Sequence, residues 1–323
     1  MKSGLKNTLF SVLFIIGLIG LLYLGSRILA PKGNDKEDGM YNASAHGILS
    51  EPKDTIDVLI IGNSESVFSM IPMQIWEQYG IPSYCCATTG QRLSYSEQFL
   101  YKAFQNQTPK IVILETNNIF KEIPYQDAAL HTLEASFSIF TYHNRWKTMS
   151  LKDLNLNVEY THIDDNKGYF FTTDVAAAND SGYMKESSDV EAIPSLNRYY
   201  IDRIISFCRK KGVRLIFIST PSTKNWNSKR HNGVQRLSGE TGIDFLDMNT
   251  LREEIPIDWK KDTIDRGDHM NYYGARKVTD YLGRYLAETG LLTDRRNEKA
   301  YEPWNESLGK FNEMVRQALE QDS

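Results

Sequence analysis

The sequence predicts an α/β protein built on a parallel sheet, with one insertion and one N-terminal transmembrane helix. Short apolar runs alternate with amphipathic ones from residue 56 onward, and the alternation returns after residue 195, as in successive βαβ units. A long uncharged apolar run near the N-terminus predicts the transmembrane helix. With 323 residues, the chain can form one large domain with appendages.

The composition argues against two classes of protein. The net charge is -4 and the isoelectric point is near 5.9, without a basic stripe, so nucleic-acid binding is set aside. Three cysteines, Cys85, Cys86 and Cys208, do not form a disulfide framework, and each lies in an apolar stretch. They are predicted to be buried free thiols.

Residues 1–30 are predicted to be an uncleaved signal anchor. The uncharged stretch 8–26 is just long enough to cross a bilayer, and Lys2 and Lys6 precede it. A cleaved signal peptide is the alternative, but Ala30 is followed by Pro31, which is a poor cleavage context. If the anchor is uncleaved and its lysines lie in the cytoplasm, the rest of the chain lies on the extracytoplasmic side and stays attached to the cell membrane.

The remaining chain divides into a linker at 31–54, a domain at 55–290 and a tail at 291–323. Glycine and polar residues dominate the linker. The domain is predicted to contain strands at Ile56–Ile61, Ser83–Ala87, Lys110–Glu115, Val213–Ser219 and Asp244–Met248, and helices at Pro72–Tyr79, Leu93–Gln105, Ser195–Lys211 and Asn271–Leu286. The tail is predicted to be one amphipathic helix that packs on the domain, a partner or the membrane.

The alternation breaks at about residues 121–192, which are therefore predicted to be an insertion over the carboxyl edge of the sheet. Its many aromatic residues, mixed with polar ones, suit either a small core of its own or the stacking of carbohydrate. Within it, His143, Arg145 and Trp146 form a polar cluster that could bind a sugar or an acidic group, although such a cluster is also an ordinary surface feature. The histidines His131, His143 and His162 lack metal-ligand spacing, so neither a metal site nor a cofactor is predicted.

Two polar motifs follow apolar runs at opposite ends of the domain. Strand Ile56–Ile61 runs into the turn Gly62-Asn63-Ser64, which puts Ser64 at the carboxyl end of a strand, where ligands bind in open α/β sheets. Ser64 is either a nucleophile or an N-cap of the following helix. Far along the chain, two carboxylates precede His269, as an acid and a base would.

These two motifs resemble the first and last blocks of the SGNH/GDSL hydrolases. The chain is most similar to their membrane-anchored branch, which accompanies membrane-bound O-acyltransferases and is related to the D-alanyl transfer and alginate acetylation accessory proteins. The resemblance covers roughly residues 55–290. It implies a three-layer, flavodoxin-like α/β fold and a Ser64 nucleophile with His269 as its base.

The resemblance also implies the other site residues. The family's aspartate stands three residues before the histidine, where this chain has Arg266, so Asp265 and Asp268 are the alternatives and Asp265 is preferred. The oxyanion donors would be the N–H of Ser64, Gly90 after the second strand, and Asn117 after the third. The family's glycine is missing beside Asn117, which could equally be a strand-end turn residue.

The leading prediction is extracytoplasmic acyl transfer through a Ser64 acyl-enzyme. By resemblance the acyl group is acetyl, the acceptor is a hydroxyl of a cell-surface polysaccharide, and the partner is a membrane-bound O-acyltransferase. The aromatic insertion would keep water from the acyl-enzyme. The alternatives are a polysaccharide O-acetyl esterase and a non-catalytic module that binds glycan or scaffolds the acyltransferase.

Overall fold

The computed structural model describes residues 2–321, and contacts within the chain define two compact units. One contains the residues up to 41 together with 124–162, and the other contains 42–123 together with the residues from 163 onward. The helices, in chain order, are α1 (Lys2–Leu29), α2 (Ala43–His46), α3 (Ser64–Ser69), α4 (Pro72–Tyr79), α5 (Leu93–Ala103), α6 (Tyr125–Ser136), α7 (Ile139–Tyr142), α8 (Ser195–Lys211), α9 (Ser228–Thr241), α10 (Tyr272–Glu288) and α11 (Glu302–Gln321).

The second unit is built on a parallel sheet of five strands in the order β2-β1-β3-β4-β5. The strands are β1 (Val58–Ile61), β2 (Ser83–Cys86), β3 (Ile111–Glu115), β4 (Arg214–Ser219) and β5 (Asp244–Asp247). β1, β2 and β3 are buried along their whole length, and their residues are apolar except for Ser83 in β2 and Glu115 in β3. Two short antiparallel strands, β6 (Thr263–Ile264) and β7 (His269–Met270), form a separate pair.

Strand order places helices on both faces of the sheet. The chain moves one way from β1 to β2 and the other way from β2 through β5, so right-handed crossovers put α4 on one face and α5, α8 and α9 on the opposite face. Accordingly, α4 packs against α10 and α5 packs against α8. The unit therefore has the predicted three-layer α/β fold.

The register of the strands brings several loops to one edge. Ile61 in β1 is aligned with Cys86 in β2 and with Leu114 in β3, and Leu114 is aligned with Phe217 in β4. The loops that follow these strands consequently leave from the same carboxyl edge. Three of them carry Ser64, Gly90 and Asn117.

Most predicted elements agree with the structure to within one or two residues, and α4 and α8 agree fully. Helix α9 has no counterpart among the predicted elements. It buries only Gly233, Val234 and Leu237, so its apolar stripe is too short to give a clear helical period.

The predicted linker 31–54 needs correction. Residues 43–50 form α2 and a 3₁₀ turn, with Ala45 and Ile48 almost fully buried. The hydroxyl of Tyr84 in β2 donates to the carbonyl of Ser44 at 2.7 Å. Small apolar residues at helical spacing therefore pack on the domain within a stretch whose overall composition is polar.

Helix α11 packs on α4 of the sheet unit. In α11, Trp304 is fully buried, and its ring centroid lies 5.4 Å from that of Trp76 in α4. The predicted amphipathic tail thus packs on the domain.

All three cysteines are buried and free.

The first unit contains α1, α6 and α7. Within α1, residues Gly4–Leu29 are long and apolar enough to cross a membrane, with a mean hydropathy of 2.3 and no buried residue in their most apolar 18-residue stretch. Residues 124–162 of the predicted insertion fold with this helix. The later residues of the insertion, 163–192, belong to the sheet unit. There, the N–H of Phe170 donates to the carbonyl of Val67 in α3 at 2.9 Å.

Candidate active site

The turn after β1 presents Ser64 at the start of α3. A Cβ on Gly62 would lie 2.2 Å from Ser66 Oγ and 2.7 Å from Glu115 Cβ, so only glycine fits this crossing of the chain. The side chain of Asn63 then caps the helix, accepting the N–H of Glu65 at 3.2 Å. The N-cap is therefore Asn63, which leaves the Ser64 side chain free of capping.

Ser64 has one side-chain partner among the described residues. Its hydroxyl donates to Glu65 Oε2 at 3.3 Å, which is a long and weak hydrogen bond. Its backbone N–H has no acceptor within the described part of the chain. Both groups that an acyl-transfer nucleophile needs are thus available.

His269 lies in β7, directly opposite Ile264 of β6. Its Nδ1 is 3.1 Å from Asp265 Oδ2, and its ring centroid is 4.7 Å from that of Phe68 in α3. Its Nε2 is buried without a hydrogen-bond partner over residues 2–321. An imidazole with Nδ1 held by a carboxylate has Nε2 left to accept a proton.

The loop between β6 and β7 explains how an aspartate four residues away reaches the ring. Asp265, Arg266 and Gly267 have φ values of 53°, 59° and 88°, a left-handed run that turns the chain tightly. Gly267 also lies so close to Thr223 that a Cβ would be 2.0 Å from its Oγ1. This turn brings Asp265 back to the ring of His269, four residues further along the chain, and the Asp265 side chain remains 59% exposed.

Asp268 has a different set of contacts. Its side-chain Oδ1 accepts the amide of Asn225, and its carbonyl accepts Ser222 Oγ at 2.9 Å. Both partners lie in the loop after β4. Asp268 therefore ties the histidine loop to the loop after β4, whereas Asp265 is the carboxylate within hydrogen-bond distance of the ring.

Glu65 lies at the centre of the site. Its side chain is buried, and Oε1 accepts the amides of Asn117 and Asn225, the latter at 2.7 Å. Burial raises the pKa of the Glu65 carboxyl above its ordinary value. The carboxylate joins the loops after β1, β3 and β4.

Asn117 begins the 3₁₀ turn that follows β3. Its Oδ1 accepts Arg230 from α9 at 2.9 Å, which directs its amide group toward Glu65. One of its two amide hydrogens is used in that contact, and the other has no acceptor among residues 2–321. This orientation is compatible with the predicted oxyanion donor and with a structural role.

Gly90 is exposed in the turn after β2, with φ of 68°. A Cβ there would meet nothing within 4 Å, so the glycine is required by its backbone conformation rather than by crowding. The neighbouring Gln91 donates to Ser96 Oγ at 2.9 Å, and Ser96 donates to the carbonyl of Gly62 at 3.3 Å. These bonds connect the loop of Gly90 to the loop of Ser64.

One group of side chains could hold a metal ion within the described residues. A carboxylate oxygen of Glu65, one of Asp268 and a ring nitrogen of His269 lie within 4.8 Å of one another. The amide of Asn225 already donates to both carboxylates. The two carboxylates are therefore bridged by the neutral amide of Asn225. The absence of a metal site stays a prediction.

Part of the surroundings of the His269 ring is aromatic. Phe68 lies between the ring of His269 and that of Phe170, whose centroid is 5.0 Å away. Phe170 comes from the predicted insertion, and 55% of its surface is exposed. These rings offer an apolar surface next to the imidazole.

The predicted cluster His143, Arg145 and Trp146 belongs to the other unit. There, Arg145 is engaged by Asp153 at 2.6 Å and by the carbonyl of Leu29 at 2.7 Å. The Trp146 ring lies under Lys147 Nζ and not under Arg145. The guanidinium is thus used in folding this unit, and substrate binding by the cluster stays a prediction.

Three residues of the site were not identified from the sequence: Glu65, Asn225 and Arg230. Glu65 directly follows the serine, which was a usable signal. Asn225 follows β4 in a loop that leaves from the same edge, so strand-end asparagines could have pointed to it. Nothing in the pattern of α9 indicated Arg230.

Neither a family model nor a curated protein matches the chain. Among solved structures, one described as an acylhydrolase from Bacteroides fragilis is 11% identical, with a TM-score of 0.37 over 77% of this chain and 95% of its own. One described as a lipolytic protein of the G-D-S-L family from Desulfitobacterium hafniense is 12% identical, with a TM-score of 0.39 over 70% and 97%. A GDSL-like lipase from Bacteroides thetaiotaomicron is 9% identical, with a TM-score of 0.36 over 72% and 88%. These scores are low, so the fold class rests on the sheet topology and the site on its own geometry.

Proposed function

We propose that the chain is a serine-dependent acyl-transfer enzyme in which Ser64 is the nucleophile and His269 its base. The observation that carries this proposal is the imidazole of His269, which has Asp265 on Nδ1 and a buried, unpartnered Nε2 among the described residues. A buried ring nitrogen without a partner is costly to maintain for structural reasons alone. Accepting the proton of Ser64 would give this nitrogen a catalytic role.

The reaction begins when the Ser64 hydroxyl turns from Glu65 toward His269. Oγ attacks the carbonyl carbon of an acyl ester, its proton passes to Nε2, and the carbonyl oxygen becomes an oxyanion. The N–H of Ser64 and the free amide hydrogen of Asn117 would stabilise that oxyanion, with Gly90 as a further candidate. The intermediate expels the alcohol, which takes the proton from His269, and Ser64 is left acylated.

An incoming hydroxyl then repeats these steps in reverse order. It gives its proton to His269, attacks the acyl group and releases Ser64. We propose an acetyl group and an acceptor hydroxyl on a cell-surface polysaccharide, as the family resemblance implies. The exposed Phe170 ring, beside Phe68, would cover the acyl group and limit the access of water.

We propose that α1 stays attached as a membrane anchor, with the sheet unit on the extracytoplasmic side. One spanning helix cannot carry an acyl group through a bilayer, so a separate membrane-bound O-acyltransferase would supply it. The contacts of α1 support an uncleaved helix, because the carbonyls of Ser26 and Leu29 accept hydrogen bonds from residues 138 and 145. Cleavage after Ala30 would remove these partners.

A non-catalytic glycan-binding module is the second candidate. The observation that favours it is the Ser64 hydroxyl, which donates to Glu65 and not to His269. This candidate predicts glycan binding that is independent of Ser64.

An esterase would follow the same steps as a transferase, except that its acceptor is water.

The test is the hydrolysis of an activated acetyl ester by the full chain in detergent. We expect Ser64→Ala and His269→Gln to lower kcat/KM by about 10³-fold or more. Asp265→Asn should cause a smaller fall, since its carboxylate is more than half exposed. Ser66→Ala is the matched control, because this serine lies in the same helix and its buried hydroxyl has no partner in residues 2–321.

Equal turnover by all four variants and the wild type would exclude the enzyme in favour of the binding module. If turnover depends on Ser64, an oligosaccharide acceptor separates the two reactions. Acetylated oligosaccharide identifies a transferase, and release of acetate alone identifies an esterase.

A further inference from the structure

The C-terminal end of α1 is built into a folded segment, which we call the interfacial segment (residues 124–162). The carbonyl of Ser26 accepts Ser138 Oγ at 3.0 Å, and Ser26 Oγ accepts the N–H of Ile139 at 3.2 Å. A Cβ on Gly25 would lie 2.8 Å from Ile139 Cδ1, so this glycine allows α1 and α7 to approach closely.

Further hydrogen bonds fix the last turn of α1. Arg145 donates to the carbonyl of Leu29 at 2.7 Å while it is held by Asp153. Arg27 donates to the carbonyl of Leu156 at 3.0 Å. Of the carbonyls at the C-terminus of the helix, those of Ser26 and Leu29 therefore find partners in the interfacial segment, whereas those of Arg27 and Ile28 accept Lys32 Nζ.

The exposure of α1 shows where a bilayer would end. Most apolar side chains from Leu5 to Leu24 are exposed, whereas Ser26 is buried. At about 1.5 Å per residue, this exposed run is about 30 Å long, the thickness of the hydrocarbon core. Gly25, which lies against Ile139 of the interfacial segment, would then lie at the boundary of the hydrocarbon.

The interfacial segment also exposes large apolar side chains. Leu151 is 86% exposed, Trp146 66% and Leu154 55%. Tryptophan is enriched at membrane interfaces because its ring is apolar and its N–H is polar. Lys147, whose Nζ lies 5.9 Å from the Trp146 ring centroid, adds a cation that suits anionic lipid headgroups.

We propose that the interfacial segment rests in the headgroup region of the bilayer and inserts Trp146 and Leu151 into it. This inference rests on the proposed membrane anchoring of α1. The bilayer is favoured as the occupant because the hydrogen bonds at Ser26 and Leu29 hold the segment at the end of the exposed apolar run. Such a segment would hold the C-terminal end of α1 at the membrane surface.

Site-directed spin labelling of the full chain tests this proposal. Single cysteines at Trp146 and Leu151 are labelled, and the chain is placed in vesicles of phosphatidylcholine and phosphatidylglycerol at three to one. Collision of each label with oxygen, which concentrates in lipid, is compared with collision with a water-soluble nickel chelate. The three native thiols are buried, and the labelled wild type gives the background.

Two further labels serve as references. A label at Phe14 lies in the middle of α1, and a label at the exposed Lys260 reports on the other unit. We expect the ratio of oxygen to nickel collisions at residues 146 and 151 to be several-fold higher than at 260 and lower than at 14.

The outcomes separate this inference from the anchoring of α1. A high ratio at 14 with ratios at 146 and 151 equal to that at 260 would overturn the inference and leave the anchor standing. Protection of 146 and 151 from both reagents would overturn it in favour of a protein partner on this surface. A low ratio at 14 would overturn both proposals.

Discussion

At the scale of single residues, the two ring nitrogens of His269 have different surroundings. Nδ1 has Asp265, and Nε2 is buried without a partner in the described chain. The hydrogen is therefore placed on Nδ1, and Nε2 is the nitrogen that can accept a proton. In the proposed mechanism, Ser64 gives up only a long hydrogen bond to Glu65 when its proton passes to this nitrogen, which is a small cost.

Asn117→Ala tests the proposed oxyanion donor. We expect kcat/KM for an activated acetyl ester to fall about 100-fold or more, because losing one such donor costs about 3 kcal/mol in the transition state. The fall should appear in kcat with little change in KM. The melting temperature is measured in parallel, since Asn117 also contacts Glu65 and Arg230.

A variant with normal kcat and a lowered melting temperature would contradict the donor role. Asn117 would then be a strand-end residue that only supports the loops.

The sequence pointed to Ser64, His269 and the nearby Asp265 because local motifs carry them. It did not reveal that Glu65 and Asn225 share a hydrogen bond, since 160 positions separate them along the chain. Such a contact depends on which strands are neighbours in the sheet. It can be derived only after the strand order is known.

At the scale of elements, the Glu115 carboxyl at the end of β3 makes the free energy of unfolding depend on pH. Burial raises the pKa of the Glu115 carboxyl well above its ordinary value of 4.5, and the nearby Glu65 adds to this effect. At pH values above 4.5, the Glu115 carboxyl loses its proton in the unfolded chain but retains it in the folded chain. The free energy of unfolding therefore falls as pH rises through this range.

We expect Glu115→Gln, which cannot ionise, to lose less stability than the wild type between about pH 5 and about pH 8. Urea unfolding of the full chain in detergent, followed at several pH values, measures this difference. Glu122→Gln is the control, because this side chain is exposed and should leave the slope unchanged. A slope for Glu115→Gln equal to that of the wild type would show that Glu115 is ionised at little cost in the folded chain.

Elements with a long apolar period were predictable, and those without one were not. Helix α9 buries few apolar residues, and β6 and β7 have two residues each, too short for any period. Residues 43–50 were hidden by the polar composition around them. The hairpin of β6 and β7 matters most for the site, because it brings Asp265 to His269.

At the scale of the whole molecule, the first unit joins two distant parts of the chain. Residues 124–162 fold with the N-terminal residues, although the sequence shows them only as an aromatic interruption of the sheet pattern. Periodicity reports on local structure and on burial. It does not report which distant segment provides the partner surface.

The contacts of Ser26 and Leu29 predict that α1 remains attached in the mature protein. We expect N-terminal sequencing of the chain purified from membranes to find the apolar run from Leu5 to Leu24 intact, and extraction to require detergent. A mature N-terminus beyond Ala30, in chain released without detergent, would show that α1 is a cleaved signal sequence.

The central claim is that Ser64 forms an acyl-enzyme, and intact-mass analysis after brief incubation with an activated acetyl ester tests it most directly. The wild type and Ser66→Ala should each gain one acetyl group, mapped by peptide analysis to Ser64, and Ser64→Ala should gain none. His269→Ala should acquire it far more slowly. An adduct that persists in Ser64→Ala, or its absence from the wild type under conditions where the ester is consumed, would contradict the claim.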